Sequence, residues 1–188
     1  MATDHDALLV EERLLLRAFC SDDAGPICEA VLESLDDFLP WLPWCHAGYS
    51  IDDTRAFLAG RGDAFENDGE YAFAMIERPG DRLVGACGLN QFDRANARAN
   101  LGYWVRSSAT RRGFATQATR MLARWAMPAL GLQRIEIVVA QGNRASQRVA
   151  GKVGATREGV ARNRLLVRGV PHDSVVFSLV PADLAKWQ

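Results

Sequence analysis

Residues Gly102–Thr119 read GYWVRSSATRRGFATQAT, and this stretch decides the fold. A strand-like run, Asn100–Arg106 (NLGYWVR), ends as a short polar loop begins, and a helix opens near Gly113. The loop carries Arg111 and Arg112; the first helical turn carries Gly113, Phe114, Ala115 and Thr116. Glycine lets backbone N–H groups turn toward a ligand with no Cβ in the way. The first N–H groups of a helix have no partner inside it, and they lie at the positive end of its dipole. A glycine turn, a helix N-terminus and flanking arginines therefore make a candidate pyrophosphate cradle. An ordinary strand-to-helix turn with solvated arginines fits the same residues. Competing phosphate motifs fail. Val153 follows Gly151-Lys152 where a P-loop needs Ser or Thr, and GxGxxG is absent. A Walker-type hydrolase and a Rossmann dehydrogenase therefore have no support.

Outward from this stretch, strand and helix patterns alternate. Arg13–Arg17 (RLLLR) predicts a first strand, and Asp22–Leu35 a helix whose start suits Asp22 and Asp23. Leu39–Trp44 (LPWLPW) is proline-broken and predicts a loop. A second helix is expected from Ser50 to about Asn67. Tyr71–Glu77 and Leu83–Leu89 predict paired strands around Arg78-Pro-Gly-Asp. The Gly113 helix should end at Met127, before Pro128. Arg134–Ala140 predicts a strand and Ala145–Lys152 a short helix closed by Gly154. Leu165–Arg168 and Ser174–Val180 predict a closing hairpin around Gly169-Val-Pro-His. The order β-αα-βββ-α-β-α-ββ implies an α/β (α+β) fold, one mixed sheet flanked by helices, in a single domain over residues 1–188.

A second polar cluster lies at Gln141–Glu158 (QGNRASQRVAGKVGATRE). Asn143 and Ser146 stand three apart at a strand-to-helix junction, and the helix carries Arg148 and Lys152. An Asn or Ser there is a routine helix N-cap. The functional reading makes Asn143 an amide that bonds a ligand's amides, with the Ser146 hydroxyl pointing at a leaving group.

The formal net charge of −1 hides a split. Residues 1–93 hold 19 Asp/Glu and 6 Arg, whereas residues 94–188 hold 4 Asp/Glu and 16 Lys/Arg. Between Arg106 and Arg168 alone lie 13 Lys/Arg against Glu136 and Glu158. A half so basic implies an anionic partner. Cys20, Cys28, Cys45 and Cys87 form no CxxC pair, and His5, His46 and His172 are scattered, so no zinc spacing occurs and no metal is expected. Such thiols fit a reduced, cytoplasmic protein. The acidic opening MATDHDALLVEERLLLRAF fits neither a signal nor a transit peptide, and no apolar run has membrane length, which argues against a membrane partner.

Taken in order, these segments resemble the GNAT superfamily of acetyl-CoA-dependent N-acetyltransferases, and more closely its RimJ/RimL-type branch. RRGFATQAT resembles the pyrophosphate loop Gln/Arg-x-x-Gly-x-Gly/Ala at Gly113 and Ala115, and departs from it at Thr110. RLLLR, LVGACGLN, NLGYWV, NRASQRVAGKVGATREG and RGVPHDSVVFSL resemble successive pieces of that branch from Arg13 to Leu179. The resemblance implies a mostly antiparallel central sheet splayed between the fourth and fifth strands, with pantetheine lying in the gap. Backbone groups of Trp104, Val105 and Arg106 would hold its amides. The N–H groups of Arg111–Thr116 would hold the pyrophosphate, and Arg148, Asn143 and Ser146 complete the implied CoA site. Ser146 and Asn143 are the implied catalytic pair, with Ser146 serving the leaving thiolate.

The implied reaction is direct attack of a neutral primary amine on the thioester, since no Ser-His or Cys-His dyad is apparent. The acceptor, a peptide N-terminus or a small amine, must lose a proton. Some relatives place a carboxylate near the last hairpin, but Ala161–Val167 holds none. Glu70, Asp93, Asp173 or a water chain remain as bases. Trp41, Trp44 and Tyr103 are candidate acceptor-pocket residues, or else aromatics that cap the core. Acidic residues of the first half, among them Asp36, Asp37, Asp52, Asp53, Glu66, Asp68 and Glu70, would attract a cation or form a solvated face. A homodimer is a further implication. The competing readings are a non-catalytic acyl-CoA-binding module and a nucleic-acid binder. Against the latter, aromatics are not interleaved with the basic residues, and no helix-turn-helix or RRM pattern occurs.

Overall fold

The structure, a computed structural model, describes residues 9–61 and 69–187. The strands are β1 (Leu9–Val10), β2 (Leu14–Ala18), β3 (Tyr71–Glu77), β4 (Arg82–Asp93), β5 (Arg98–Val105), β6 (Arg134–Ala140), β7 (Thr156–Val167) and β8 (Val170–Leu179). The helices are α1 (Ala24–Glu33), α2 (Leu35–Phe38), α3 (Ile51–Ala59), α4 (Phe114–Ala129), α5 (Arg144–Val153) and α6 (Pro181–Leu184). The strands form one sheet in the order β1-β2-β3-β4-β5-β6-β8-β7. Every pairing is antiparallel except β5 with β6.

Both faces of the sheet are covered, so its middle strands are apolar on both sides. Strand β3 shows this: Phe73 and Met75 face the core under α4 and α5, while Ala74 and Ile76 face the one under α1. Helix α4 buries Phe114, Ala118, Met121 and Leu122 on one stripe, as helical spacing requires.

Several predicted boundaries move. The first helix is interrupted at Ser34, whose hydroxyl donates to the Ala30 carbonyl at 2.7 Å and bends the chain into α2. Helix α4 runs through Pro128 to Ala129, because proline in a last turn costs only one bond. The second helix is described from Ile51 to Ala59; its expected end at Asn67 lies outside the described residues. Strand β7 starts nine residues before the expected Leu165. It is an edge strand, and its mostly exposed residues lack the alternation by which strands are recognised. Pro171 lies inside β8 rather than in the turn. It is tolerated because β6 pairs only with Ser174–Leu179, so no central ladder needs its N–H. The turn is Arg168-Gly169, both at positive φ.

One feature of the sheet sets the site. Strands β5 and β6 pair only at Arg98↔Arg134, Ala99↔Ile135 and Asn100↔Glu136. Beyond Asn100, β5 follows β4 as far as Gly85↔Val105, and β6 follows β8 as far as Ala140↔Ser174. The two halves of the sheet therefore part, and backbone groups of β5 that β4 does not use face an open gap.

Candidate active site

A cleft of about 530 Å³ runs through this gap and is lined by residues from both faces of the sheet. Gly102, Tyr103 and Trp104 line it from β5, and Ile137–Ala140 from β6.

The basic loop begins where β5 ends. Arg111 has φ 62 and Gly113 φ 91, and this pair of left-handed residues turns the chain into α4. Gly113 occupies the N-cap position without a side-chain cap, and the first intrahelical bond runs from the Gln117 N–H to the Gly113 carbonyl at 3.0 Å. The N–H groups of Phe114, Ala115 and Thr116 precede that bond, so no helical carbonyl claims them. Next to them is a hollow of about 450 Å³ lined by Gly113, Thr116, Gln117, Arg120, Arg124 and Lys152, together with Glu11. Arg120 donates to the Lys152 carbonyl at 2.8 Å, and its buried Nε has no partner among the described residues. A helix end with unclaimed donors, beside cations and an orphaned guanidinium nitrogen, suits a phosphate-bearing ligand. Sequence reasoning missed Arg120 and Arg124, and placed Lys152 on its helix without bringing it to this hollow. The first two were legible, because Thr116, Arg120 and Arg124 recur every four residues on one helical face.

Two arginines expected at the ligand have other partners. The Arg106 side chain is buried and pairs with Glu29 and Glu33 of α1. Its N–H donates to the Val84 carbonyl at 2.9 Å, and its carbonyl accepts from the Ala109 N–H at 2.9 Å. No group of Arg106 is thus left for a pantetheine amide. The Trp104 carbonyl points at Gly85 of β4, so of the three expected positions Val105 is the one whose backbone groups face the gap. Arg112 pairs with Glu77 and lies over the Phe114 ring at 5.0 Å. Arg111 is exposed and has no side-chain partner among the described residues. Arg148 lies outside the cleft and shares a shallow hollow with Arg144, Gln147 and Phe177.

Asn143 and Ser146 both line the cleft, where β6 passes into α5. The Ser146 N–H donates to Asn143 Oδ1 at 3.0 Å, so the asparagine is a helix N-cap. The cap uses the amide oxygen and leaves the amide nitrogen to donate. Tyr103, expected in the acceptor pocket, lines the cleft but directs its hydroxyl to Ser146. It lies 3.0 Å from Ser146 Oγ and 3.0 Å from the Ser146 carbonyl. Burial pushes the Tyr103 phenol up to about 12.

The opposite mouth is aromatic. Trp41 and Trp44 line it, as expected. The Trp44 ring stands 6.2 Å from Trp104, 6.0 Å from Tyr49 and 6.1 Å from Phe38, a tilted lattice that holds it in place. Trp41 rests on Gly142: a Cβ there would lie 2.8 Å from Trp41 Cη2. Asp53 and Glu70 also line the cleft. Asp53 accepts from the Ser50 hydroxyl and N–H, which hold its carboxyl below the usual range. Glu70 pairs with Arg61 at 2.7 Å. The other two candidate bases serve structure. Asp93 binds Asn96 and Arg98, and Asp173 accepts from the Asn163 N–H at 2.9 Å. Asp37 accepts from the Ser107 hydroxyl and Asp52 pairs with Arg55; Glu66 and Asp68 lie outside the described residues. Phe19, Tyr49, Phe57 and Asn90 line the cleft without having been foreseen. They come from separate segments, and no local pattern marks them.

Residues 13–156 match the family described as Acetyltransferase (GNAT) domain. The chain belongs to the GNAT acetyltransferase family. Within this GNAT family it is similar to RimJ/RimL-like members. It is 30% identical to YdaF of Bacillus subtilis (strain 168), provisionally named a ribosomal N-acetyltransferase, over 91% of this chain and 93% of that protein. A structure from Vibrio cholerae, provisionally assigned as a ribosomal-protein-serine acetyltransferase, superimposes with TM-score 0.82 at 30% identity, covering 95% of this chain and all of that one. Mycobacterium smegmatis RimJ, solved in complex with CoA-disulfide, superimposes with TM-score 0.82 at 25% identity over 91% of this chain and 83% of its own. The mixed, mostly antiparallel GNAT sheet expected from the sequence is the sheet observed. The expected splay falls between β5 and β6 because the short β1 shifts the numbering by one.

Proposed function

We propose that this GNAT enzyme, one domain over residues 1–188, transfers an acetyl group from acetyl-CoA to a primary amine. The amine is carried by a protein N-terminus or a small molecule. One observation carries the reading: β5 and β6 part to open a cleft lined by aromatics and carboxylates, and the loop that leaves β5 runs into a helix start with unclaimed N–H donors. The names of YdaF and the Vibrio cholerae relative support a protein acceptor. The CoA-disulfide complex of RimJ supports the donor.

In this reading the N–H groups of Gly113–Thr116 and the Arg111 guanidinium hold the pyrophosphate. Backbone groups of Val105 that β4 does not use hold a pantetheine amide as a strand would. The acceptor enters from the Trp41/Trp44 mouth, where Asp53 and Glu70 favour a cationic amine. Glu70 then receives its proton, directly or through water, because it alone of the three candidate bases lines the cleft. The neutral amine attacks the thioester carbonyl, and β5 backbone donors face the developing oxyanion. The Ser146 hydroxyl, which lines the cleft, serves the departing sulfur in this reading. Holding both reactants in one gap supplies much of the acceleration.

The unpaired Cys20, Cys28, Cys45 and Cys87 support a reducing, cytoplasmic setting. The long β7 edge with exposed Val160 supports a homodimer, which sedimentation reads directly. The test of the function compares thermal stabilisation by acetyl-CoA, CoA and duplex DNA, then follows thiol release with peptides and small amines. Stabilisation by acetyl-CoA with amine-dependent thiol release is expected. Stabilisation by DNA and none by acetyl-CoA overturns the reading in favour of nucleic-acid binding.

A further inference from the structure

Two hydroxyls, Tyr103 on β5 and Ser146 on α5, meet across the gap, and the sequence separates them by 43 residues. Between them they carry two protons. The tyrosine oxygen lies 3.0 Å from two acceptors, Ser146 Oγ and the Ser146 carbonyl. Two arrangements satisfy this geometry. In one, Tyr103 donates to the carbonyl and the serine hydroxyl donates back to the tyrosine oxygen. In the other, Tyr103 donates to Ser146 Oγ, and the serine proton is free to point into the cleft. The hydrogen-bond inventory of a hydroxyl, one donor and two acceptor sites, allows both.

We propose that Tyr103 is a positioning residue for acetyl transfer, a switchable partner that turns the Ser146 hydroxyl toward the CoA sulfur. This rests on the acetyl-CoA reading above. With no sulfur present, Ser146 donates to Tyr103. When a thioester sulfur enters the gap, Tyr103 becomes the donor to Oγ, and Ser146 donates to the sulfur. During transfer the amine nitrogen forms its bond to the carbonyl carbon. The C–S bond then breaks with its electron pair on sulfur, and the extra nitrogen proton leaves to water. The thiolate, held by the Ser146 hydrogen bond, takes its proton from solvent afterwards. Neither hydroxyl is consumed. Burial keeps the Tyr103 phenol protonated across the range in which amines are neutral, so it remains a donor throughout. The N-cap bond from the Ser146 N–H to Asn143 Oδ1 keeps the serine at the mouth of α5, which leaves hydroxyl rotation as the moving part.

The test uses CoA and desulfo-CoA, because their affinity ratio reads the sulfur contact without an identified acceptor. Wild type should bind CoA several-fold more tightly than desulfo-CoA at a pH where the thiol ionises. Ser146→Ala should erase that preference while leaving desulfo-CoA affinity unchanged. Tyr103→Phe keeps the ring and removes the hydroxyl; it should erase the preference to the same extent. The double variant should lose nothing more, since the two residues act as one unit. Once an amine substrate is in hand, kcat should fall about tenfold in each single variant with KM for acetyl-CoA unchanged. A Tyr103→Phe protein that keeps the CoA preference overturns the proposal, as does a double variant whose losses add. Failure of wild type to bind either compound breaks the acetyl-CoA reading instead.

Discussion

The basic hollow beside α4 and the aromatic cleft between the sheet halves, the proposed phosphate and acceptor ends of the site, are built in opposite ways. The phosphate end comes from one continuous stretch, Arg111–Thr116, with Arg120 and Arg124 following on the same helix. It works through backbone groups at a left-handed turn. The acceptor end comes from distant segments: Phe19, Trp41, Trp44, Tyr49, Phe57 and Trp104. It works through side chains locked against one another. A local backbone device admits almost any ligand bearing the same phosphate. An assembled side-chain wall changes with each residue that lines it, so one fold serves one donor and many acceptors.

The largest separation between the two ends should come from Gly113→Val. A β-branched residue at φ 91 is strained, and the turn must move to relieve it. Loss of the aligned N–H groups should cost about 3 kcal/mol of CoA binding, roughly a hundredfold in affinity by calorimetry. Amine KM should stay near wild type at saturating acetyl-CoA. Gly142→Ala is the converse. Its Cβ must displace the Trp41 ring, so amine KM should rise about tenfold while CoA affinity changes less than about twofold. If either variant damages both ends equally, the division fails.

A finer test separates the loop's two arginines. Arg111→Ala should weaken CoA binding by about fivefold to tenfold, since its guanidinium has no side-chain partner to leave among the described residues. Arg112 is shared with Glu77, and a carboxylate competes with phosphate for the same fork. Glu77→Gln should therefore tighten CoA binding by about twofold, an effect that disappears in high salt. A loss of affinity in Glu77→Gln would show that the pair shapes the loop rather than competing with its ligand.

This contrast also explains what was legible. The turn into α4 was, because its rule is local: small residues before a helix and arginines beside them. The position of Ser146 was legible for the same reason. Its partner Tyr103 was not, since only the sheet brings β5 and α5 together. Arg106 misled because the resemblance assigns its backbone to pantetheine, whereas its N–H and carbonyl are taken by Val84 and Ala109. Strand β7 misled because an edge strand need not alternate. The order of the expected elements survived these errors, with the short β1, α2 and α6 added to it, because turns and apolar periods are written locally.

The joint between the two ends yields the smallest effect, on stability rather than binding. Helix α1 lies under the acceptor wall, and Glu33 ties it to the start of the basic loop. Its carboxylate pairs with Arg106 and accepts from the Ser108 N–H at 2.8 Å, while the Ser107 N–H donates to Ser34 Oγ at 2.9 Å. The hydrogen bond from Arg106 pulls the Glu33 carboxyl down from 4.5 to about 2. A carboxyl depressed in the folded state contributes stability that is complete above its unfolded value, near 4.5, and is lost as pH falls toward about 2. Glu33→Gln should lower Tm at pH 7 by about 2–4 °C, the effect of roughly 1 kcal/mol in a chain of this size. Glutamine does not titrate, so the gap between wild type and variant should narrow steadily as the pH drops from 5 toward 2. A gap that stays constant over that range would mean that the charge on Glu33 contributes nothing, and that Ser34 and the backbone bonds alone hold α1 to the phosphate loop.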